Sequence, residues 1–149
     1  MIEIREIDKD NCFDVCELTG NKDGVGTIFE DFLCCNAISL TESKFYPECK
    51  PKALYSDDTL IGFFMYKQLS PEDTEVEVCR FMIDYKYLGK GYGRKSFTTI
   101  LEFFKSNGIK TVNIIIDDHN VIAKKLYTSF GFTFTGKILK DELYYQLNL

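Results

Sequence analysis

Histidine is nearly absent from this sequence: His119 is the only one among 149 residues. With one imidazole and no cluster of side chains at ligand spacing, no metal is expected. The six cysteines (Cys12, Cys16, Cys34, Cys35, Cys49 and Cys79) include no C-x-x-C pair and no zinc-finger spacing. Cys34 and Cys35 are adjacent and poorly placed to bridge each other. The N-terminal MIEIREIDKD is charged where a secretory signal would be apolar, which predicts reduced thiols and a cytoplasmic location. No apolar run approaches the length of a membrane span, so no membrane partner is expected. Positive charge is also short, with 18 Lys and Arg against 23 Asp and Glu. Phosphate-backbone binding needs a basic surface, which argues against nucleic acid as a partner. The acidity either keeps the surface soluble or attracts a cationic substrate, and composition leaves the two open.

Apolar material is plentiful: 45% of residues are hydrophobic, with 13 Phe and 9 Tyr. That is enough for one domain over residues 1–149 with a substantial core. Ile2 to Ile7 starts as a strand, and Asp10 or Asn11 can cap a short helix through Leu18. After a glycine-rich loop, Phe29, Phe32, Leu33, Asn36, Ala37 and Leu40 recur at helical spacing and predict a helix from Ile28 to Leu40. Ala53 to Tyr55 and Leu60 to Tyr66 read as a hairpin whose turn, Ser56 to Thr59, has no glycine. Glu75 to Ile83 reads as a strand with Glu75, Glu77, Cys79, Phe81 and Ile83 on one face and Val76, Val78, Arg80 and Met82 on the other. A helix follows to about Lys105, stopped by Asn107-Gly108. Val112 to Ile116 is nearly all apolar, as in a central strand buried on both faces. A last helix runs from Asn120 to Gly131, and two strands end the chain. The order is β-α-α-β-β-β-α-β-α-β-β, an α/β (α+β) chain with a mixed, mostly antiparallel sheet and helices on both faces.

Between the Glu75–Ile83 strand and its following helix lies Leu88-Gly89-Lys90-Gly91-Tyr92-Gly93-Arg94. A glycine-rich turn entering a helix can aim backbone N–H groups at an anion, and Lys90, Arg94 and Lys95 add positive charge. The nucleotide-triphosphate pattern G-x-x-x-x-G-K-[ST] is not met, and the dinucleotide pattern G-x-G-x-x-G lacks its third glycine. A pyrophosphate held mainly by backbone remains, beside the reading of a simple turn. Downstream, Asn120, Ala123 and Tyr127 share one helix face: an amide, a small residue that permits close approach, and a phenol.

These two segments together resemble the GNAT superfamily of acetyl-CoA-dependent N-acetyltransferases. The family's loop pattern [QR]-x-x-G-x-[GA] is matched at Gly91 and Gly93, with Leu88 in place of the first residue. Its N-x-x-A-x-x-L-Y-x-x-x-G-F pattern is matched throughout from Asn120 to Phe132. A narrower resemblance, to bacterial spermine/spermidine acetyltransferases, rests on Tyr46-Pro47, Lys52 to Tyr55, Ile61-Gly62-Phe63 and Arg80 to Asp84.

The resemblance implies acetyl-CoA as co-substrate and direct attack by a primary amine in a ternary complex. It implies that Phe81, Met82, Ile83, Leu88, Gly89, Lys90, Gly91, Tyr92, Gly93, Arg94, Lys95, Asn120, Ala123 and Tyr127 hold CoA. The strand should splay at Phe81 to Ile83, where backbone groups are diverted to the ligand. Tyr127 would be the general acid and Glu77 the base, with Glu75 two residues away. Glu30, Asp31, Glu75, Glu77 and Glu142 are the candidate contacts to a small cationic amine. Another amine (an aminoglycoside, a protein N-terminus) or a non-catalytic CoA-binding module stays open as an alternative, and exposed sheet edges leave a homodimer open.

Overall fold

The computed structural model describes residues 1–149. The elements follow in the order β1 (Ile2–Arg5), α1 (Cys12–Glu17), α2 (Asn36–Phe45), β2 (Cys49–Ser56), β3 (Thr59–Lys67), β4 (Glu75–Ile83), a 3-10 turn (Tyr85–Tyr87), α3 (Tyr92–Ser106), β5 (Thr111–Asp117), α4 (Val121–Ser129), β6 (Thr133–Leu139) and β7 (Glu142–Asn148). All seven strands join one sheet in the order β1-β2-β3-β4-β5-β7-β6. Only β4 and β5 are parallel, because α3 carries the chain back across the sheet between them. The β2–β3 turn manages without glycine by placing both Asp57 (φ 46°) and Asp58 (φ 66°) in the left-handed region, which short Asp side chains tolerate.

The sheet separates two cores. On one face, Phe97, Ile100 and Phe104 of α3 and Tyr127 of α4 pack with Val76, Val78, Val112, Ile114 and Ile116. On the other, Val15 of α1 and Leu40 of α2 pack with Ala53, Phe63, Met65 and Met82. At roughly 25 cal/mol per Å² of apolar surface, burying each of these large side chains contributes on the order of 2 kcal/mol.

Several expectations are corrected. The helix expected over Ile28–Leu40 begins only at Asn36 and runs on to Phe45, just short of Pro47. Residues 28–35 instead close a tight antiparallel turn: Cys35 N–H donates to Ile28 O at 2.8 Å and Glu30 N–H to Leu33 O at 2.7 Å. Phe29 and Phe32, which made the helical pattern, are exposed. The competing pull comes from Glu30, whose carboxylate accepts from Thr19 Oγ1 at 2.5 Å and Gly20 N–H at 2.9 Å. Asn11 precedes α1, but its side chain accepts from Asp8 N–H and does not cap the helix. β1 ends at Arg5, short of Ile7.

The simple alternation expected along β4 also fails. Met65 stands opposite Arg80 while Tyr66 stands opposite Val78, so Cys79 is an extra residue, a β-bulge. Beyond it the faces exchange. Phe81 and Ile83 join the α3 core with Val76 and Val78, and Cys79 and Met82 join the α1–α2 core. β5 is central, yet only Val112, Ile114 and Ile116 are fully buried; Asn113 and Ile115 are half-buried. The reason is coverage: α2 packs chiefly on β2 and α1 on β3, and the two reach β4 at Arg80 and Met82.

Candidate active site

Strands β4 and β5 pair only from Glu75–Val78 against Thr111–Ile114. Past that point β4 stays with β3 and β5 with β7, so the two are apart at Phe81 to Ile83, as the resemblance implies. The Cys79 bulge, with its added twist, lies where they part. Asp84 N–H donates to Ile61 O at 2.9 Å, which sets the alternation of the antiparallel β3–β4 ladder. Met82 therefore faces β3, whereas Phe81 and Ile83 turn their backbone N–H and C=O groups into the gap.

From the end of β4 the chain makes the 3-10 turn and enters the glycine loop. Gly89 (φ 72°) and Gly91 (φ 80°) take left-handed conformations. The first N–H of this stretch to find a carbonyl is that of Lys95, bonded to Gly91 O at 3.2 Å; those of Gly89 to Arg94 have no acceptor within the chain. A Cβ built at Gly89, Gly91 or Gly93 would meet nothing within 4 Å. These glycines are thus not needed for internal packing, and they leave room for another molecule against the backbone. Six unspent donors and a helix N-terminus facing open space fit an anion such as a pyrophosphate. Lys90 Nζ folds onto Lys86 O at 2.7 Å. Arg94 reaches α4, donating to Ser129 Oγ at 2.7 Å with its guanidinium over the Phe130 ring. Lys95 lies by the Tyr92 ring, and Leu88, partly exposed, ends the 3-10 turn.

Asn120 has the structural task expected of the turn that ends in it. Its Oδ1 accepts from Ala123 N–H at 3.1 Å and caps α4. One turn past Ala123, Tyr127 is buried against Phe97 and Phe132, ring centroids 4.9 and 5.8 Å away. Burial raises its pKa well above that of an ordinary phenol, so the hydroxyl stays protonated and able to donate.

The opposite face of β4 and β5 carries carboxylates. Glu77 is half-buried and stands in register with Asn113. The Cys79 thiol lies 3.8 Å from Glu77 Oε1. Burial first, and the Glu77 charge second, push its pKa up to about 12, which keeps it an unreactive thiol. Glu75 Oε1 accepts from Asn113 Nδ2 at 2.5 Å, and Asn113 Oδ1 accepts from Gln146 Nε2 at 3.0 Å. Asn113 and Gln146 were not foreseen; the one signal was an amide interrupting the apolar run of β5. Glu142 lies across from Asp117 on the same face. Glu30, by contrast, is spent on Thr19 and Gly20, and Asp31 is exposed in the turn between α1 and α2.

Other links went unread in the sequence. Asp84, 2% exposed, accepts from Thr19 N–H at 3.3 Å and Lys86 N–H at 3.1 Å. Arg80 spans from β4 to α2, contacting Cys34 Sγ, Glu42 and Cys79 O. No group of three or more His, Cys, Asp or Glu could hold a metal ion, and no helix is long and apolar enough to cross a membrane.

Residues 16–132 match the family model described as "Acetyltransferase (GNAT) family". The chain is 31% identical over 147 residues to the spermine/spermidine N(1)-acetyltransferase of Bacillus subtilis, covering 92% of this chain and 91% of that protein. Among solved structures, the spermidine N-acetyltransferase of Vibrio cholerae in complex with CoA and spermine superposes with a TM-score of 0.74 at 14% identity, covering 99% of this chain and 95% of that one. The PaiA N-acetyltransferase of Thermoplasma acidophilum in complex with coenzyme A gives 0.69 at 17% identity, covering 100% and 99%. These two likenesses concern the fold.

Proposed function

The chain belongs to the GNAT acetyltransferase family, and from that premise we propose that it moves an acetyl group from acetyl-CoA to a primary amine of a polyamine such as spermine or spermidine. One observation carries this reading: the β4–β5 split opens beside a sheet face on which Glu75, Glu77 and Glu142 lie. Carboxylates spaced along a surface suit a substrate with several ammonium groups, and the Bacillus relative is named for spermine and spermidine.

Acetyl-CoA, when bound, supplies an acetyl group already activated as a thioester. The N–H groups of Gly89 to Arg94 hold its pyrophosphate, with Lys90, Arg94 and Lys95 adding charge. Backbone groups of Phe81 and Ile83 orient the arm that lies in the split. Ala123 keeps the α4 side of that path clear, and Asn120 fixes where α4 begins. A polyamine nitrogen, like a lysine with a pKa of about 10.4, is mostly an ammonium near neutral pH and must shed a proton first. Glu77 takes that proton, directly or through water, and the second proton, which the nitrogen loses on bonding the acyl carbon, leaves through water. Tyr127, on the α3–α4 side of the sheet, gives a proton to the sulfur that the carbon leaves and regains one from solvent. Acceptor and thiol are thus handled from opposite faces of one sheet.

A panel of amines with acetyl-CoA, read by thiol release and product mass, tests this. Spermine and spermidine are expected to turn over faster than simple monoamines, an aminoglycoside or a peptide with a free N-terminus. Turnover confined to one of the latter would move the substrate assignment. No turnover with any amine would leave only a CoA-binding module.

A further inference from the structure

Two carboxylates of β4 face the same side of the sheet, yet β5 treats them differently. Glu77 stands in register with Asn113, and Glu75 with Thr111. Asn113 nevertheless passes over its own register partner and donates from Nδ2 to Glu75 Oε1 at 2.5 Å. Its Oδ1 accepts from Nε2 of Gln146, which stands opposite it on β7, at 3.0 Å. Chemistry fixes the direction of this chain. An ionised carboxylate can only accept, so Asn113 must turn its amide nitrogen toward Glu75 and its carbonyl toward Gln146. Reversing either amide would set acceptor against acceptor. Glu75 is thereby pinned through one oxygen, while its Oε2 has no donor within the chain. Glu77 receives only the weak donor of the Cys79 thiol, at 3.8 Å. Neither carboxylate is in an ion pair with a Lys or Arg of the chain.

We propose that Asn113, held by Gln146, is a positioning residue that divides the work of these two carboxylates and sets the spacing of amine groups that the protein selects. Glu77, left free, takes the proton of the reacting nitrogen. Glu75, fixed through Oε1, offers Oε2 to the next nitrogen along the substrate, held as an ammonium. The inference rests on the polyamine reading of this face and narrows it. The Cys79 bulge lies beyond Glu77, so Glu75 and Glu77 keep the spacing of a regular strand. Residues two apart on a strand are about 6.6 Å apart. Three or four extended methylenes set two nitrogens about 5–6 Å apart, given bond lengths of about 1.5 Å. Two methylenes fall short and six overreach. Spermidine has three on one side of its central nitrogen and four on the other. A glutamate with free side-chain torsions would follow many spacings, whereas one pinned by Asn113 holds to one.

Terminal diamines of two to six methylenes, each compared with the alkylamine of the same carbon number at saturating acetyl-CoA, test this. In the native protein the diamine is expected to exceed its alkylamine in kcat/KM by about tenfold or more at three and four methylenes, roughly what one hydrogen bond to a charged group supplies, and by less at two or six. In Asn113→Leu that preference should fall to about threefold or less and lose its dependence on chain length, with the loss in KM and not in kcat. Glu75→Gln should do the same. The double variant should be no worse than Glu75→Gln alone, because both changes act through one carboxylate. Glu77→Gln should instead lower kcat for diamine and alkylamine alike. An Asn113→Leu variant that slows both kinds of amine together, or whose effect adds to that of Glu75→Gln, refutes the positioning role. A native preference that ignores chain length refutes the spacing and leaves the polyamine reading standing. No turnover with any amine, in a protein that binds acetyl-CoA, ends the polyamine reading itself. If Glu75→Gln lowers kcat for alkylamines and Glu77→Gln does not, the two roles are reversed and the inference is overturned. Should Asn113→Leu not fold, Gln146→Leu, which frees Asn113 to turn, decides in its place, with the same flattening expected.

Discussion

Burial acts on Tyr127 and Cys79 in one direction and to different ends. Both groups are held in their protonated forms. For Tyr127 this keeps the proton that the proposed mechanism gives to the leaving thiolate. Tyr127→Phe keeps the ring packed on Phe97 and Phe132 and removes only the hydroxyl. It is expected to lower kcat by about 10²-fold, the low end for general acid–base catalysis, with acetyl-CoA affinity within about twofold. Steady-state kinetics and calorimetry check both, and an unchanged kcat removes Tyr127 from the chemistry. For Cys79 the consequence is stability. Its pKa rises from 9.0 in an unperturbed thiol to about 12 in the fold. Below the lower value both folded and unfolded chains carry the thiol, and pH has no leverage. Above it the unfolded chain ionises first, so stability falls as pH rises toward the folded value. Cys79→Ala should flatten this alkaline decline in urea unfolding curves taken between these pH values. If the native and Cys79→Ala proteins decline in parallel, the thiol is not held protonated as described. At this scale the sequence was legible where a residue type carries its own backbone requirement, as with the left-handed Gly89 and Gly91. It was not legible for Asn113, Gln146 and Asp84, whose tasks depend on partners more than thirty residues away.

Elements are where the local pattern was most and least reliable. The glycine loop and α3 were readable because left-handed turns, a helix start and an Asn-Gly stop each have a residue requirement that can be met only locally. The bulge in β4 was not, since the extra residue exists only relative to β3, and it reversed the faces of Phe81 and Ile83. The Phe29–Leu40 periodicity misled for a similar reason: Glu30 satisfies Thr19 and Gly20 by holding its own segment out of a helix. Gly93 isolates the purpose of the loop. It lies in the first turn of α3 without a positive φ, and a Cβ there meets nothing within 4 Å. Gly93→Ala should therefore stabilise the protein by about 0.5–1 kcal/mol through helix propensity. On the proposed reading the same methyl group projects where the pyrophosphate approaches the backbone, so acetyl-CoA affinity should fall by about tenfold or more, since each tenfold is about 1.4 kcal/mol. Thermal unfolding and titration on one sample give opposite signs. A variant that binds as well as the native protein would place the ligand elsewhere.

Across the whole molecule, the order of elements could be read from the chain because each strand and helix carries its own periodicity and its own stops. Which strands the helices cover could not. The run from Val112 to Ile116 looks as though it is buried on both faces, yet α1 and α2 lie over β2 and β3, and Asn113 and Ile115 remain half-buried. That uneven coverage turns a sheet face into a surface holding Glu75, Glu77 and Glu142 on a chain of net charge −5. Such a surface acts on a polycation before contact, and the effect must weaken as salt shortens the reach of charge. The screening length is about 30 Å at 0.01 M and about 8 Å at 0.15 M ionic strength. Lowering salt over this range should raise kcat/KM for spermine by about tenfold, the lower limit for electrostatic steering, and for a monoamine by much less. Acetyl-CoA, an anion meeting a local basic loop on an acidic protein, should not share the gain. Varying ionic strength at saturating acetyl-CoA separates the two ligands. The steering account fails if spermine and a monoamine show the same salt dependence, and the carboxylates of the open face would then act only at contact.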